Sequence, residues 1–349
     1  MSRSGQRYAR VAGPRELELV PEDAPDEPAA DGVVVDITYC GICGTDVHGY
    51  TDGHMLPPAV FGHEWTGTVR AVGAEVTGLA PGVRVVGAVG PACGRCRQCT
   101  AGHARQCETV FAEANGVDPA APAHGGFADR VRVSARRVVP VPENLSDVEA
   151  ALVEPATVTF HAVRRTAMEF GSLVVVQGAG PIGLLTAQHA RNAGAGLIVV
   201  SEPSPARRAA AERLGFSGTV APDDLPAALA DVSGGLGADV VFECAGVASL
   251  LQPSAELVRR GGVLALLGYP LTESRVSYGD WQSRELTVVG SLAYNHEDFL
   301  GAMRAVAERR IDVAALHTGT IGLSGLGDML EELDSGGSAQ AKVLVDPRS

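Results

Sequence analysis

Aromatic residues are scarce in this chain of 349 residues, at 5%, while glycine occupies 43 positions. A core built on large rings is therefore not expected, and tight turns with close helix–sheet packing are. No apolar run approaches the roughly 20 residues of a membrane-spanning helix, so no membrane span is expected. The opening stretch, MSRSGQRYARVAGPRELELV, lacks a continuous apolar segment, so no secretion signal is expected. Cations are in the minority, 28 Lys+Arg against 41 Asp+Glu for a net charge of −13. They stand singly or in pairs such as Arg136-Arg137 and Arg164-Arg165, which makes solvated surface charge and leaves no basic face for nucleic acid. Seven cysteines, an odd number with no secretion signal expected, argue against a disulfide framework. Reduced thiols place the protein in the cytoplasm and make its cysteines candidates for metal binding or catalysis.

The length predicts two domains. Residues 7–20 read as strands interrupted at Gly13-Pro14, and residues 21–31 as a surface loop. Residues 32–39 (GVVVDITY), 65–72 and 84–89 read as further strands, so the first half is β-rich. Residues 108–145 read as loop and strand. At Ser146 the pattern turns helical, with Ser146 and Glu149 spaced as a capping box and Pro155 set to kink or restart the helix. Residues 172–292 alternate near-continuous apolar strands with helices, the pattern of a doubly wound parallel sheet. A helix, a loop and a last strand (AKVLVD) follow and look appended to the first domain.

Two cysteine-containing stretches stand out. Residues 40–64, CGICGTDVHGYTDGHMLPPAVFGHE, mix sulfur, imidazole and carboxylate, the donors that zinc takes. Cys93, Cys96, Cys99 and Cys107, at intervals of two, two and seven residues, form a loop with almost nothing apolar to fold it. Four thiols at that spacing predict a closed structural zinc site.

The first strand of the α/β half runs into Gly178-Ala179-Gly180-Pro181-Ile182-Gly183 and then a helix. Glycines at those positions let a backbone approach a pyrophosphate at a helix N-terminus. Glu202 ends the second strand, 19 residues beyond Gly183, where an acid would bond the adenosine ribose hydroxyls. A carboxylate repels a 2′-phosphate, so NAD is expected over NADP. Arg207 and Arg208 follow closely and read either as exposed helix residues or as groups facing a phosphate; Arg207 is kept as a cofactor-site candidate.

In these motifs the chain resembles the zinc-containing medium-chain dehydrogenases over essentially its whole length. The resemblance rests on CGICGTDVH, GHE, the four-cysteine lobe, Glu154-Pro155 and GAGPIG. It is strongest to the sorbitol, threonine and butanediol dehydrogenase branch. It implies a GroES-like β-rich catalytic domain over 1–155 and 294–349, and a Rossmann NAD-binding domain over 156–293. It further implies a catalytic zinc held by Cys43, His63 and Glu64, with Glu154 joining directly or through water, giving two zincs per chain with the structural one. Thr45 would take the alcohol proton and pass it through the ribose to His48. Cys40 is read as a buried neighbour. Asp46 is read as an orienting partner or a loop cap, and Trp65 and Tyr294 as pocket or core. His54, His103 and His124 are read as surface groups, and Cys244 as packing.

Two departures bear on substrate. The loop from His48 to His63 is short, and Ala293-Tyr294 stand where sorbitol dehydrogenases carry an Arg-Tyr pair, which weakens a sugar-polyol reading. The reading is an oxidoreductase interconverting a secondary alcohol, of diol or polyol type, with its ketone, as a homodimer or homotetramer. Its rivals are a biosynthetic reductase of a carbonyl or polarised double bond, a zinc-stabilised binding module, and an inactive NAD-binding scaffold.

Overall fold

The computed structural model describes residues 6–22, 27–53, 56–118 and 121–349; His54 lies outside them. The chain divides into two compact units. One comprises Met1–Glu154, Asn295–Leu300 and Leu316–Ser349, the other Pro155–Tyr294 and Gly301–Ala315.

The first unit opens with an antiparallel pair, β1 (Gln6–Gly13) and β2 (Glu16–Glu22), turning through Pro14 and Arg15. β3 (Gly32–Gly41) is its central strand, with Val33, Val34 and Val35 fully buried because both faces are covered. A helix, α1 (Gly44–Asp52), follows where the sequence suggests a loop. Its first turn is fixed by Asp46, whose carboxylate accepts the Cys43 N–H at 2.8 Å. β4 (Glu64–Val72) and β5 (Arg84–Gly87) continue the sheet. The cysteine lobe carries α2 (Arg97–Thr100) and leads into α3 (Glu108–Ala114), another helix in a region read as loop and strand. Then come β6 (Arg130–Ser134), β7 (Val138–Pro140) and α4 (Asp147–Ala151). Ser146 caps α4: its N–H donates to Glu149 at 2.8 Å, and its hydroxyl accepts the Glu149 N–H at 3.2 Å.

The helical path restarts at α5 (Val153–Arg165), which places Pro155 in a first turn where its missing N–H costs nothing. The second unit then alternates β8 (Leu173–Gln177), α6 (Pro181–Asn192), β9 (Leu197–Ser201), α7 (Pro205–Arg213), β10 (Gly218–Val220), α8 (Leu225–Ser233), β11 (Ala238–Glu243), α9 (Leu251–Leu257), β12 (Val258–Leu266), α10 (Tyr278–Ser283) and β13 (Thr287–Gly290). Its six strands are all parallel, in the order β10-β9-β8-β11-β12-β13. The winding reverses on either side of β8, and such a switch point opens a crevice at the strand C-termini.

The closing segment does not return whole to the first unit. Within α11 (His296–Ala307), the chain from Gly301 onward belongs to the second unit. A Cβ on Gly301 would lie 2.7 Å from the Phe160 ring, Asp312 N–H donates to Gln188 at 2.8 Å, and Asn192 donates to the Arg310 carbonyl at 3.0 Å. Those contacts tie Gly301–Ala315 to the second unit, whereas the sequence reading placed residues 294–349 with the catalytic domain. β14 (His317–Gly322), α12 (Leu326–Asp334) and β15 (Lys342–Asp346) complete the first unit. Its sheet runs β14-β15-β3-β4-β5-β7, with β6 also on β3. Among the described residues no helix is long and apolar enough to cross a membrane.

Candidate metal and dinucleotide sites

β3 and β4 run antiparallel with Gly41 opposite Glu64, which carries the two halves of the GHE and CGIC motifs to one end of the sheet. There the ligand atoms of Cys43, His63 and Glu64 lie within 4.8 Å of one another. His63 Nδ1 faces the Val60 carbonyl at 3.0 Å. A carbonyl only accepts, so Nδ1 carries the hydrogen and the Nε2 lone pair is left for a metal. Asp46 is fully buried, accepts the Gly62 N–H at 2.8 Å and lies 3.8 Å from His63. It therefore both caps α1 and orients the imidazole. Burial alone would push the His63 imidazolium down, but Asp46, Cys43 and Glu154 together hold it well above the ordinary value. Glu154 is buried and close enough to act on His63, yet it stands outside the group within mutual ligand distance. Burial, with the charges of Asp46 and Glu64, pushes the Cys40 thiol far up, consistent with a neutral packed neighbour.

Lys342 is a residue the sequence reading missed. From β15 its ammonium donates to both Glu64 oxygens at 2.6 and 2.7 Å and to the Ile42 carbonyl at 3.0 Å, using all three hydrogens. Lys342 is 4% exposed and Glu64 0%. Burial works against the ammonium, but Glu64, Cys43 and Glu154 raise it above the ordinary lysine range. A lysine at the head of a β-branched strand looks like an exposed strand end in sequence; its one signal is the apolar run Val343-Leu344-Val345 that follows it.

Cys93, Cys96, Cys99 and Cys107 also gather within 4.8 Å of one another. Thr109 and the Arg95 and Cys96 N–H groups lower Cys93 to about 6, while burial and the neighbouring sulfurs raise Cys99 to about 12. Thiols that compete in this way for negative charge suit a cation that satisfies all four. Both donor sets match zinc, whose ligands stand about 2.0–2.3 Å from the ion.

On α1, Thr45 and His48 are half-buried and three residues apart, hence on one face, while Asp46, Val47 and Tyr50 face inward. His103 is exposed as expected. His124 is not a surface group: it is 4% exposed, stacked on Tyr8 with ring centroids 4.4 Å apart, and 3.3 Å from Glu22. Trp65 is core, and Cys244 is half-buried, 3.8 Å from the Thr186 hydroxyl.

At the end of β8 the chain turns through Gly178, with φ of +97°, and Gly180 before α6 begins at Pro181 and Ile182. A Cβ on Gly183 would run into the Gly178 carbonyl, whereas one on Gly180 would meet nothing within 4 Å. The first glycine–glycine contact presses helix onto strand. The open space beside Gly180 is a cradle that a side chain would fill and a pyrophosphate can enter. Glu202 is 4% exposed and ties this turn to the next: it accepts the Ala179 N–H at 2.7 Å and the Ser204 N–H at 2.9 Å. Arg208 is engaged with the Glu202 and Pro203 carbonyls at 2.6 and 2.9 Å. Arg207 sends its backbone N–H to the Ser204 hydroxyl at 3.4 Å and lies half-buried. Glu243, also missed in the sequence, accepts the Ala245 and Gly246 N–H groups and shapes the neighbouring turn at the end of β11.

The alcohol dehydrogenase GroES-like domain model matches residues 29–143 and the zinc-binding dehydrogenase model residues 181–308. The 2-dehydro-3-deoxy-L-galactonate 5-dehydrogenase of Pseudoalteromonas atlantica is 33% identical over 91% of this chain and 92% of its own. The chain belongs to the zinc-type medium-chain alcohol dehydrogenases. Among solved structures of similar proteins, 2R,3R-butanediol dehydrogenase from Bacillus subtilis superposes with a TM-score of 0.83 at 28% identity, covering 98% of this chain and 100% of that one. A Sinorhizobium meliloti protein bound to NADP gives 0.86 at 33% identity, covering 99% and 100%. This dehydrogenase is accordingly an oxidoreductase with a GroES-like unit and a Rossmann-type parallel sheet, and it uses zinc and a nicotinamide cofactor.

Proposed function

We propose that this dehydrogenase interconverts a secondary hydroxyl of a diol or similar polyhydroxy metabolite and the matching ketone, with NAD as hydride carrier. The observation that carries the reading is the convergence of Cys43, His63 and Glu64 beside the helix bearing Thr45 and His48. Relatives that act on butanediol and on a polyhydroxy acid support the substrate class.

Bound zinc supplies a Lewis acid for the substrate oxygen, and the nicotinamide supplies or accepts the hydride. Cys43 and His63 hold the metal, with Glu64 and Glu154 completing its acidic surroundings. Cys93, Cys96, Cys99 and Cys107 hold a second, structural zinc. The chain's own part in the chemistry is the proton: the Thr45 hydroxyl accepts it from the substrate hydroxyl while giving up its own, and His48 delivers it to solvent. Gly178, Gly180, Pro181, Ile182 and Gly183 cradle the pyrophosphate, with Arg207 beside the adenosine end. The buried Glu202 carboxylate favours NAD by repelling a 2′-phosphate. Reduced thiols support a cytoplasmic location, and the outer edge of β13 supports assembly with further copies of the chain as a homodimer or homotetramer.

The test is an NADH-absorbance screen across diols, polyols, amino alcohols and ketones, with metal analysis of the same preparation. Two zincs per chain and turnover of a vicinal diol are expected. In Cys43→Ala, turnover is abolished while NAD binding persists; a variant that keeps turning over would overturn the metal assignment.

A further inference from the structure

The buried face of α1 is held at both ends. At its start, Asp46 accepts the Cys43 and Gly62 N–H groups. At its end stands Tyr50, 4% exposed, in the same apolar cluster as Val47 and the α12 residues Leu326 and Leu330. The Tyr50 hydroxyl reaches Glu331 of α12 at 2.8 Å and the Arg15 carbonyl at 3.1 Å. Arg15 closes the loop, since its N–H donates to the Tyr50 carbonyl at 2.8 Å and its guanidinium bonds Glu331 and Asp334. Arg15 holds this place with φ of +61°, in a conformation rare for a residue with a side chain. Gly53, which ends α1 at φ of +78°, leaves no room for a Cβ against Pro14.

Residues two apart on an α-helix point to nearly opposite sides. Fastening Tyr50 therefore sets the rotation and tilt of the face that carries Thr45 and His48. The Arg15 pairs are half-exposed and screened by solvent. The phenol–carboxylate bond is directional and its phenol end is buried, although Glu331 itself is half-exposed. Burial together with Glu331 pushes the phenol up, so it stays a donor through neutral pH.

We propose that Tyr50 and Glu331 form a latch between α1 and α12 that positions Thr45 and His48 for proton transfer. This rests on the relay reading of those two residues given above. Tyr50 and Glu331 are positioning residues: they act through the helix.

The experiment compares wild type with Tyr50→Phe, Glu331→Leu, Glu331→Gln and His48→Gln as zinc-loaded enzymes. It uses the alcohol of highest turnover in the panel and follows kcat against pH, KM, and hydrogen–deuterium exchange across residues 44–52. Tyr50→Phe and Glu331→Leu are expected to lower kcat about tenfold, leave KM unchanged, shift the kcat–pH profile and speed exchange in α1. Glu331→Gln, which keeps an acceptor for the phenol, recovers most of what Glu331→Leu loses. Wild-type kcat and exchange in Tyr50→Phe, or equal effects of Leu and Gln at position 331, would overturn the latch. If His48→Gln keeps the wild-type profile, the relay and the latch fall together. If it changes the profile while Tyr50→Phe does not, the latch alone falls.

Discussion

Lys342 carries its ammonium to a place where, among the described residues, only Glu64 and the Ile42 carbonyl receive it. Removing one partner of a buried pair leaves the other charge without compensation, at a cost of about 3–5 kcal/mol. Lys342→Met should therefore lower the unfolding midpoint of the zinc-loaded protein strongly. Lys342→Met with Glu64→Leu should lose less than Lys342→Met alone, because the stranded carboxylate is gone. A thermal-melt double-mutant cycle with additive losses would show that the pair is not coupled. A second buried group, His189, belongs to the parallel-sheet unit. Burial pushes its imidazolium down to about 4, against the favourable bond from its ring to the Ala156 carbonyl at 2.9 Å. An unfolded-chain histidine titrates near 6.5. Acid therefore protonates the unfolded chain first, so the contribution of neutral His189 is full above about 6.5 and drains away as pH falls toward 4. Between about pH 7 and about pH 5 the loss is about 2 kcal/mol. Urea titrations should show that loss in wild type and not in His189→Gln; identical pH dependence in the two would contradict it.

At the scale of elements, the turn from β8 into α6 has no slack. A Cβ on Gly183 would overlap the Gly178 carbonyl, so the helix must retreat from the strand if a methyl is added. Overpacking of this kind costs about 1–3 kcal/mol, and here the displaced part is the N-terminus that faces the cofactor. Gly183→Ala is expected to weaken NADH binding at least about tenfold while leaving zinc content intact. Fluorescence titration with NADH checks this, and wild-type affinity would refute it. Such turns are legible in sequence because the requirement is local: a positive φ at Gly178 and a missing Cβ at Gly183 are written within six consecutive letters. The four-cysteine lobe is legible for the same reason, since all its donors fall within one short loop. α1 was not. Nine residues beginning GTD and holding two glycines have poor intrinsic helix propensity, and the helix forms because Asp46, Val47 and Tyr50 are captured by distant parts of the chain. Lys342 and Glu331 escaped reading likewise. Their partners are hundreds of positions away, and nothing near them in sequence announces a buried ion pair or a latch.

At the scale of the whole molecule, the parallel sheet ends on β13, which pairs with β12 on one side and, among the described residues, with nothing on the other. Val288 on that strand is 41% exposed, and Leu292, two residues beyond the strand's end, is 63% exposed. An edge strand with free backbone donors and apolar side chains is a template for another strand, and soluble proteins usually blunt such edges with charge or proline. β13 (TVVG) has neither within it. A second copy meeting this edge about a two-fold axis would pair both strands at once and cover both apolar sets, closing the assembly. The net charge of −13 opposes approach at long range, but screening limits that repulsion to about 8 Å at physiological salt. Light scattering on the eluting protein should therefore give a mass of two or four chains, not one. Val288→Lys places a charge on the strand in the manner of natural edge protection and should halve that mass. The parallel sheet should remain folded, with NADH binding retained. A monomeric wild type, or a Val288→Lys variant of unchanged mass, would place the subunit contact elsewhere.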